Sequence, residues 1–575
     1  MPLHNEEIAG AFEEMADLLA IQGDNPFRIR AYRRAAQVVR TLPHEVRAQT
    51  RTATLDALPG IGEDLAAKIL ELVSTGHLRA LERLRREVPS GLRELLELPG
   101  LGPVRVRSLY SGLGIKGTEE LRQAVAAGKL EGLRGFGPGI RARLAAAMES
   151  RASAGPRRVP WSVARQSADP LRAHLEKARG VERVEVAGSY RRGRETVGDL
   201  DVLVSATDSG PALAALARYD ELREITASGE TKLSAVLRGG LKVDVRIVAP
   251  ESFGAALQYF TGSREHGIRL RRRAQERGLK LSEYGLFRGR SRIAGATEEE
   301  IFKALGLPWI APELREDRGE IEAAERHALP KLLERADLEG DLHVHTDASD
   351  GTEPLARMVA AARARGLSYI AIADHSRHLG VTHGLDAERL AREIDEIDAL
   401  NASLHGFQVL KAAEVDILED GALALPDPVL ARLDLVVIAL HTQLGLPEAK
   451  QTRRLLRALE RPCVTVLAHP FGRLLGERAG AGFDFERVLE AAASRPCYLE
   501  INSQPLRLDL DDRHAKAARD RGVLLSIASD AHAGTQMDFL EHGVRQARRG
   551  WVSAADVLNT RNLKDLKPLL RRTMR

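Results

Sequence analysis

Cysteine and long apolar runs are almost missing from this chain of 575 residues. The two thiols, Cys463 and Cys497, form neither a zinc-type spacing nor a disulfide framework, which fits a reducing compartment. No apolar run approaches the length of a membrane span, and the acidic, amphipathic N-terminus is unlike a signal peptide. We therefore expect a cytoplasmic protein without membrane contacts.

A large net charge is missing as well. The 85 lysines and arginines nearly balance the 81 aspartates and glutamates, which leaves a formal charge of +4. Any contact with nucleic acid must then come from local basic faces rather than from the charge of the whole chain. The length exceeds what one hydrophobic core supports, so several domains are expected.

The most informative stretch runs from Val186 to Val204. An apolar run leads into Gly188-Ser189 and a basic turn, and a second apolar run then carries Asp199 and Asp201. If that second run is a β-strand, the two carboxylates point to the same face of the sheet. They repel each other unless a divalent cation lies between them, and hard cations such as Mg²⁺ take oxygen ligands.

A third carboxylate, Asp244, lies in a stretch that alternates apolar and polar residues like a half-buried strand. Gly188-Ser189 suits a strand-to-helix turn whose backbone N–H groups meet a phosphate, and Arg192 would complement the anion. A two-metal carboxylate site beside a phosphate cradle is the equipment of in-line nucleotidyl transfer. The alternative is an exposed acidic turn after a basic one, but the flanking glycine-serine pair and Asp244 favour a catalytic site.

These stretches, together with Tyr259-Phe260-Thr261-Gly262-Ser263, resemble the palm of a family X DNA polymerase, the group that includes DNA polymerase beta. The resemblance extends over nearly the whole chain. It implies that Asp199, Asp201 and Asp244 bind catalytic Mg²⁺ or Mn²⁺. It also implies sugar discrimination near Tyr259 and template support by Arg271. The candidate nucleotide-binding residues are Gly188, Ser189, Arg192, Gly198, Tyr259, Phe260, Gly262 and Arg271.

Residues 1–150 have helical spacing, and a Gly-x-Gly pattern recurs three times before a helical segment. The glycines leave backbone N–H groups unobstructed at the start of the next helix. Three such turns resemble helix-hairpin-helix motifs, which hold DNA backbones without reading sequence. One copy alone would indicate a turn in a helical bundle. The candidate DNA-binding residues are Arg28, Gly60, Gly62, Gly100, Gly102, Gly135 and Gly137.

The arginine-rich segment 25–34 resembles the start of the small lyase domain of polymerase beta. Lys68 falls where that family places its Schiff-base lysine. Glu63-Asp64 stand where better-known members have a phosphate-binding lysine. Lys68 is therefore either a lyase nucleophile or an ordinary surface lysine.

From Gly340 onward, seven apolar runs alternate with helical sequence, which predicts parallel strands in a barrel or a doubly wound sheet. Nearly every run ends in a side chain that can bind a metal, and polar groups at strand C-termini converge on the mouth of a barrel. Imidazole and carboxylate without thiolate suit a hydrolytic site of Zn, Mn or Fe. The candidate ligands are His343, His345, Asp350, His375, Glu414, His441, His469, Asp530 and His532.

This part resembles the polymerase-and-histidinol-phosphatase (PHP) domain of bacterial family X members. The resemblance implies three divalent metals. Their respective ligand sets would be His343, His345, Glu414 and Asp530; Glu414, His441 and His469; and Asp350, His375 and His532.

The expected protein is thus a multidomain α/β enzyme that acts as a monomer on gapped or primer-template DNA with deoxynucleoside triphosphates. It would fill short gaps during repair at the bacterial nucleoid, and its barrel would be a 3′-to-5′ exonuclease. The same barrel chemistry would also suit 3′-phosphate removal, cleavage at abasic sites or hydrolysis of a small phosphate ester. The rival functions are a phosphoesterase whose N-terminal part only binds DNA and a non-catalytic repair scaffold.

The predicted domains are a lyase-like helical domain (1–85), helix-hairpin-helix fingers (86–150), a palm with a mixed sheet (151–250), a thumb (251–315), a linker (316–337) and a distorted (β/α)7 PHP barrel (338–575).

Overall fold

The computed structural model describes a large part of the chain in two compact units, residues 1–157 and 158–575. Each unit has its own hydrophobic core. Residues 152–159 are small and basic and contain Pro and Gly, which predicts a linker, and this segment lies outside the described residues up to residue 157. The described residues are 5–42, 46, 55, 61–89, 91–96, 98, 101–133, 135–137, 139–141, 144, 158–377 and 382–574.

Among its described residues the first unit contains helices joined by turns and no strand, as the spacing of its apolar positions predicts. Its helices there are α1 (Asn5–Gln22), α2 (Pro26–Thr41), α3 (Glu63–Thr75), α4 (Arg79–Glu87), α5 (Gly91–Leu96), α6 (Pro103–Leu113) and α7 (Thr118–Ala126). Asn25 caps α2 by accepting a hydrogen bond from the backbone N–H of Phe27, and Pro26 follows it. α1 and α2 pack together and bury Phe12 edge to face against Tyr32, with ring centroids 5.8 Å apart.

The second unit begins with the palm, a mixed sheet covered by helices. Its strands are β1 (Val159–Pro160), β2 (Val181–Val186), β3 (Thr196–Val197), β4 (Asp199–Ala206), β5 (Leu222–Ser228), β6 (Lys232–Leu237) and β7 (Lys242–Val248). Its helices are α8 (Trp161–Leu175), α9 (Gly188–Arg191) and α10 (Gly210–Ala217). The main sheet has the order β2-β4-β7-β6-β5, and β4 and β7 are its parallel neighbours. The mixed palm sheet and both predicted strands are confirmed.

The thumb follows as helices against a small antiparallel sheet. Its elements are α11 (Phe253–Thr261), α12 (Arg264–Glu276), β8 (Lys280–Ser282), β9 (Gly285–Arg288), β10 (Ser291–Ala294) and α13 (Glu298–Ala304). The interval expected as a linker contains a packed helix, α14 (Glu320–Glu325). Glu320 is buried there and binds Nδ1 of His266 on α12 at 2.6 Å, so this segment is fixed to the thumb.

The C-terminal part is a parallel barrel. Its strands are β11 (Gly340–Val344), β12 (Tyr369–Ile372), β13 (Gln408–Lys411), β14 (Glu414–Asp416), β15 (Val437–Ala439), β16 (Val466–Leu467), β17 (Tyr498–Asn502) and β18 (Leu525–Ala528). β12 pairs with β13 and β14 pairs with β15, so β13 and β14 are consecutive parts of one interrupted strand. A parallel bridge between Val344 and Ala531 closes the ring. Within 338–377 and 382–574 the chain therefore forms the distorted seven-stranded barrel that was predicted.

Helices surround this barrel and cover one of its ends. They are α15 (Leu355–Ala364), α16 (Ala387–Ser403), α17 (Asp427–Leu430), α18 (Glu448–Leu459), α19 (Phe485–Ser494), α20 (Asp512–Asp520), α21 (Leu540–Arg549) and α22 (Leu563–Thr573). α22 contributes Leu566 and Leu570 to an apolar cluster of the barrel, and the hydroxyl of Tyr498, the first residue of β17, donates to the carbonyl of Leu569 at 3.2 Å. The side chains that can bind a metal lie at the opposite end of the barrel, where the strands have their C-termini. Across the described residues, no helix is both long and apolar enough to cross a membrane.

Candidate active sites

Three carboxylates lie together on the palm sheet. Asp201 on β4 is the register partner of Asp244 on the parallel strand β7, and Asp199 is two residues before Asp201 on the same face. Burial first, and then the negative charges of Asp199 and Asp244, raises the pKa of Asp201 to about 6. The site therefore disfavours the charged form of Asp201 unless a cation is bound.

Asp244 has two stabilising partners on the neighbouring strand β6. The Ser234 hydroxyl donates a hydrogen bond to its carboxylate, and the Lys232 ammonium lies 3.3 Å from it. Burial alone would raise the pKa of Asp244, but these two partners outweigh that effect and lower it. Asp244 is therefore a ready anionic ligand, and the three carboxylates fit a hard divalent cation such as Mg²⁺ or Mn²⁺.

Gly188 brings a helix N-terminus directly against this acidic face. It starts α9 with φ +62°, and a Cβ there would lie 2.5 Å from Oδ2 of Asp201. The N–H of Ala187 donates to the carbonyl of Asp201 at 2.6 Å. Ser189 is the second residue of α9. Only glycine permits this approach, because both the backbone conformation and the space exclude a side chain.

Arg192 connects this turn to the thumb. Its Nη1 donates to the carbonyl of Thr261 at 2.5 Å, and its Nε donates to Glu316 at 3.0 Å. Gly262 has φ +69°, and a Cβ there would lie 3.1 Å from Arg192 Nη1. Gly198 lies at the turn before β4, beside the Arg158 guanidinium. Two of the candidate nucleotide-binding residues, Arg192 and Gly262, are thus direct neighbours.

The aromatic pair at the end of α11 is partly exposed. Tyr259 is 41% exposed and contacts Phe260 edge to face, with centroids 5.0 Å apart. The Arg271 guanidinium lies 5.8 Å from the Tyr259 ring, and Arg246 on β7 lies 4.5 Å from the Phe260 ring. Tyr259, Phe260 and Arg271 therefore form one surface next to the palm strand that carries Asp244.

In the barrel, Glu414 is the centre of the candidate metal site. Its Oε1 lies 2.8 Å from His469 Nε2 and 3.1 Å from His441 Nε2. Its Oε2 lies 2.8 Å from His375 Nδ1 and 3.5 Å from His343 Nε2. One carboxylate on β14 thus joins side chains from four other strand ends.

Two aspartates complete the cluster. Asp530 Oδ1 lies 3.1 Å from His345 Nε2, and Asp350 Oδ1 lies 3.2 Å from His532 Nε2 and 3.5 Å from His375 Nε2. In each of three groups the ligand atoms lie within 4.8 Å of one another. The groups are His345, Asp350, His375 and His532; His343, His345 and Asp530; and His375, Glu414 and His441.

The chemistry of this cluster fits divalent metals. Several of its atoms are buried, and although they lie close to one another they are not aligned for a hydrogen bond with any described residue, which is costly for a polar group. Imidazole nitrogens and carboxylates without thiolate suit Zn, Mn or Fe. The atoms are His343 Nε2, His345 Nδ1 and Nε2, Asp350 Oδ1, His375 Nδ1, Glu414 Oε2, His441 Nε2 and His469 Nδ1.

The sequence reasoning missed the residues that orient these ligands. Glu500 binds His343 Nδ1 at 2.7 Å, and Asp416 binds His441 Nδ1 at 2.9 Å. Such contacts fix the ring so that the other nitrogen faces the metal. The available signal was position, because Asp416 follows the ligand Glu414 by two residues on β14, and Glu500 lies on β17, in the one predicted run that supplies no candidate ligand.

The hairpin glycines are described only in part. Gly62 and Gly102 are the N-caps of α3 and α6, both with extended backbone. The carbonyl of Gly137 accepts from the N–H of Ile140 at 3.0 Å, and that of Gly135 accepts from Arg105 Nε at 2.9 Å. Gly60 and Gly100 lie outside the described residues.

Arg28 and Lys68, the other candidates in the first unit, both have acidic partners. Arg28 Nη1 lies 2.8 Å from Asp24 on the exposed face of α2. The Lys68 ammonium donates to the carboxylate of Asp64, one turn earlier on α3, and lies 5.9 Å from the Tyr32 ring. Lys68 thus has an acidic neighbour at the position noted in the sequence.

Comparison with known proteins defines the class. Family models match a helix-hairpin-helix domain (3–78), a SAM-like helix-hairpin-helix tandem (92–147), the DNA polymerase beta palm (158–229), the DNA polymerase beta thumb (256–316) and the PHP domain (341–504). Matches to these parts in this order describe a beta-type DNA polymerase joined to a PHP domain.

The similarity to a relative covers the whole chain. The chain is 38% identical over 574 residues, 99% of its own length and 100% of the relative's, to the DNA polymerase/3′-5′ exonuclease PolX of Bacillus subtilis (strain 168). It is 25% identical over 54% of its length to 56% of the DNA polymerase lambda of Rattus norvegicus. It is also 27% identical over 38% of its length to 89% of a probable phosphatase of Thermoanaerobacter sp. (strain X514). The chain belongs to the family X DNA polymerases that carry a C-terminal PHP domain.

Proposed function

We propose that the palm adds deoxynucleotides to a primer terminus at Asp199, Asp201 and Asp244, and that the protein fills short DNA gaps during repair. The observation that carries this proposal is the convergence of three carboxylates on β4 and β7 against the glycine-started helix α9. The full-length relative named as a polymerase and exonuclease supports it. A DNA substrate also implies action in the bacterial cytoplasm, at the nucleoid.

Each palm group has a role that its position supports. The three carboxylates would hold Mg²⁺ or Mn²⁺. When bound, such cations stabilise the attacking and leaving oxygens. The N–H groups at the start of α9 and the Arg192 guanidinium bind the triphosphate. The surface formed by Tyr259, Phe260 and Arg271 contacts the sugar and the template side of the new pair.

Loss of one shared carboxylate tests the palm. Asp201→Ala is expected to reduce primer extension on gapped DNA by at least about 10³-fold, while DNA affinity stays near that of the parent. Asp220 is a matched control, because it is an exposed carboxylate in a palm turn outside the acidic face. Extension by the Asp201→Ala protein at the rate of Asp220→Ala would contradict the assignment.

We further propose that the barrel removes nucleotides from 3′ ends. Nine imidazole and carboxylate residues would hold three divalent metals, which supply a water of lowered pKa and charge neutralisation at the phosphate. Glu500 and Asp416 keep the ring nitrogens of His343 and His441 aimed at that site. The relative named as a probable phosphatase favours a second candidate, removal of a 3′-phosphate.

A double substitution tests the barrel. His343→Ala with Glu414→Ala removes ligands from the centre of the cluster, so degradation of 3′ ends should disappear while primer extension continues. His405→Ala removes an exposed histidine outside the cluster and should retain the parental activity. A second substrate ending in a 3′-phosphate separates exonuclease from phosphatase. Degradation that persists in the double variant would contradict the assignment.

We propose that the first unit holds the DNA backbone. A Cβ at Gly62 or Gly102 would meet no described atom within 4 Å, and φ is −82° and −86° there. Neither packing nor backbone conformation therefore requires glycine at these two positions. Glycine there is better explained by a DNA backbone that approaches the main chain closely. Gly62→Ala with Gly102→Ala should weaken DNA binding several-fold, and binding should decline steeply with salt. Gly10→Ala, on α1, is the control.

A further inference from the structure

Helix α21 of the barrel ends against the phosphate cradle of the palm. Its last residue, Arg549, has a side chain that is only 3% exposed. Nη1 of Arg549 donates to the carbonyl of Arg192 at 2.7 Å and to Oε1 of Glu316 at 3.0 Å. Its Nη2 donates to Asp512 of the barrel at 2.7 Å. One buried guanidinium thus contacts the palm, the segment after the thumb and the barrel.

Glu316 links Arg549 to the Arg192 guanidinium. Its carboxylate lies 3.0 Å from Arg549, 3.0 Å from Arg192 and 3.2 Å from Arg194. Burial would raise the pKa of Glu316, but the charges of Arg549, Arg192 and Arg194 outweigh it and lower the pKa to about 2. Glu316 is therefore anionic under ordinary conditions. Arg549 holds Arg192 twice, directly at its backbone carbonyl and through Glu316 at its guanidinium.

We propose that Arg549 is a positioning residue for nucleotide addition, contributed by the barrel to the palm. The inference rests on the proposed role of Arg192 as a triphosphate ligand, and it makes the barrel a structural part of the polymerase site. Arg192 would contact the triphosphate both in the bound complex and in the transition state. Loosening it should therefore raise the KM for the deoxynucleotide more than it lowers kcat.

Arg549→Gln is the direct test, measured on gapped DNA with the full chain. We expect the KM for the incoming nucleotide to rise about tenfold, with kcat within about threefold of the parent, because charged hydrogen bonds to a ligand-binding residue are lost. Degradation of 3′ ends should remain at the parental rate, since Arg549 is not a ligand of the barrel metals. That second activity also reports whether the variant is folded.

Arg548→Gln is the matched control on the same helix. Arg548 binds Glu313 at 2.7 Å and the carbonyl of Leu333 at 3.0 Å, so its loss weakens the same region without removing a bond to Arg192 or Glu316. Its KM for the nucleotide should match that of the parent. Arg549→Gln alone leaves the negative charge of Asp512 less compensated. The double variant Arg549→Gln with Asp512→Asn removes that charge as well, and the same rise in the KM for the nucleotide is expected.

The possible results separate this inference from the palm assignment. A parental KM in both Arg549 variants, or an equal rise in Arg548→Gln, would overturn the role of Arg549. A parent protein that fails to extend primers would instead count against the proposed function of the palm. A rise in KM confined to the Arg549 variants would support the inference.

Discussion

Asp201→Asn should stabilise the metal-free palm while it abolishes nucleotide addition. The pKa of Asp201 is raised from 3.8 to about 6, so the folded state binds a proton more tightly than the unfolded state. Folding stability therefore falls as the pH rises from the unfolded-state pKa to the folded-state pKa of Asp201, and the loss of stability is fully present above pH 6. A shift of about two units corresponds to ~3 kcal/mol at pH 7 and to about half of that at pH 5. Asparagine removes this titration.

Hydrogen exchange of the β4 and β7 amides in the presence of EDTA measures the effect locally, since the whole chain has several domains. Parent, Asp201→Asn and the exposed control Asp220→Asn are compared at pH 5 and pH 7. The Asp201→Asn sheet should open less readily than the parent, by up to ~3 kcal/mol at pH 7 and less at pH 5. Added Mg²⁺ should protect the parent more than the variant. Equal protection of parent and variant at both pH values would refute the electrostatic reasoning.

Three further outcomes are expected. Gly188→Ala should abolish extension, because its Cβ would lie 2.5 Å from an oxygen of Asp201. Gly239→Ala is the control and should be tolerated, because a Cβ there would meet no described atom within 4 Å. Similar extension rates in the two variants would contradict the phosphate cradle at Gly188. Asp416→Ala should lower the metal affinity of the barrel about 10- to 100-fold in metal titrations, since it removes the oxygen that accepts from Nδ1 of His441; an unchanged affinity would argue against that role. Lys68 as a lyase nucleophile predicts that borohydride traps the parent, but not Lys68→Ala, on an abasic 5′ end; trapping that survives Lys68→Ala would exclude that role, and a parent that is not trapped would favour an ordinary surface lysine.

The two candidate sites were predictable because strand geometry fixes where their side chains lie. The two-residue period of a strand places Asp199 and Asp201 on one face, and parallel pairing brings Asp244 beside them. In the barrel, the carboxyl ends of parallel strands meet, so His343 and Glu414 approach although they are far apart in sequence.

Contacts between domains could not be predicted in the same way. Arg549 and Arg192 are 357 positions apart, and no sequence period relates the end of α21 to the palm turn. Glu500 was missed because an acid inside a strand run does not reveal whether it binds a metal or orients a neighbouring ring. In the predicted linker, the burial of Glu320 against His266 could not be foreseen, because a run of mixed charge does not show which of its side chains are buried.

The central claim is that one chain carries two metal-dependent sites with separate ligands, and that both act on the same DNA end. Its most direct test uses one gapped, 5′-phosphorylated duplex, with and without deoxynucleotides in Mn²⁺, and compares the parent with Asp244→Ala and His343→Ala. The account predicts that Asp244→Ala loses extension but still shortens the primer, and that His343→Ala extends the primer but no longer shortens it. Loss of both activities in a folded single variant, or retention of both, would contradict it.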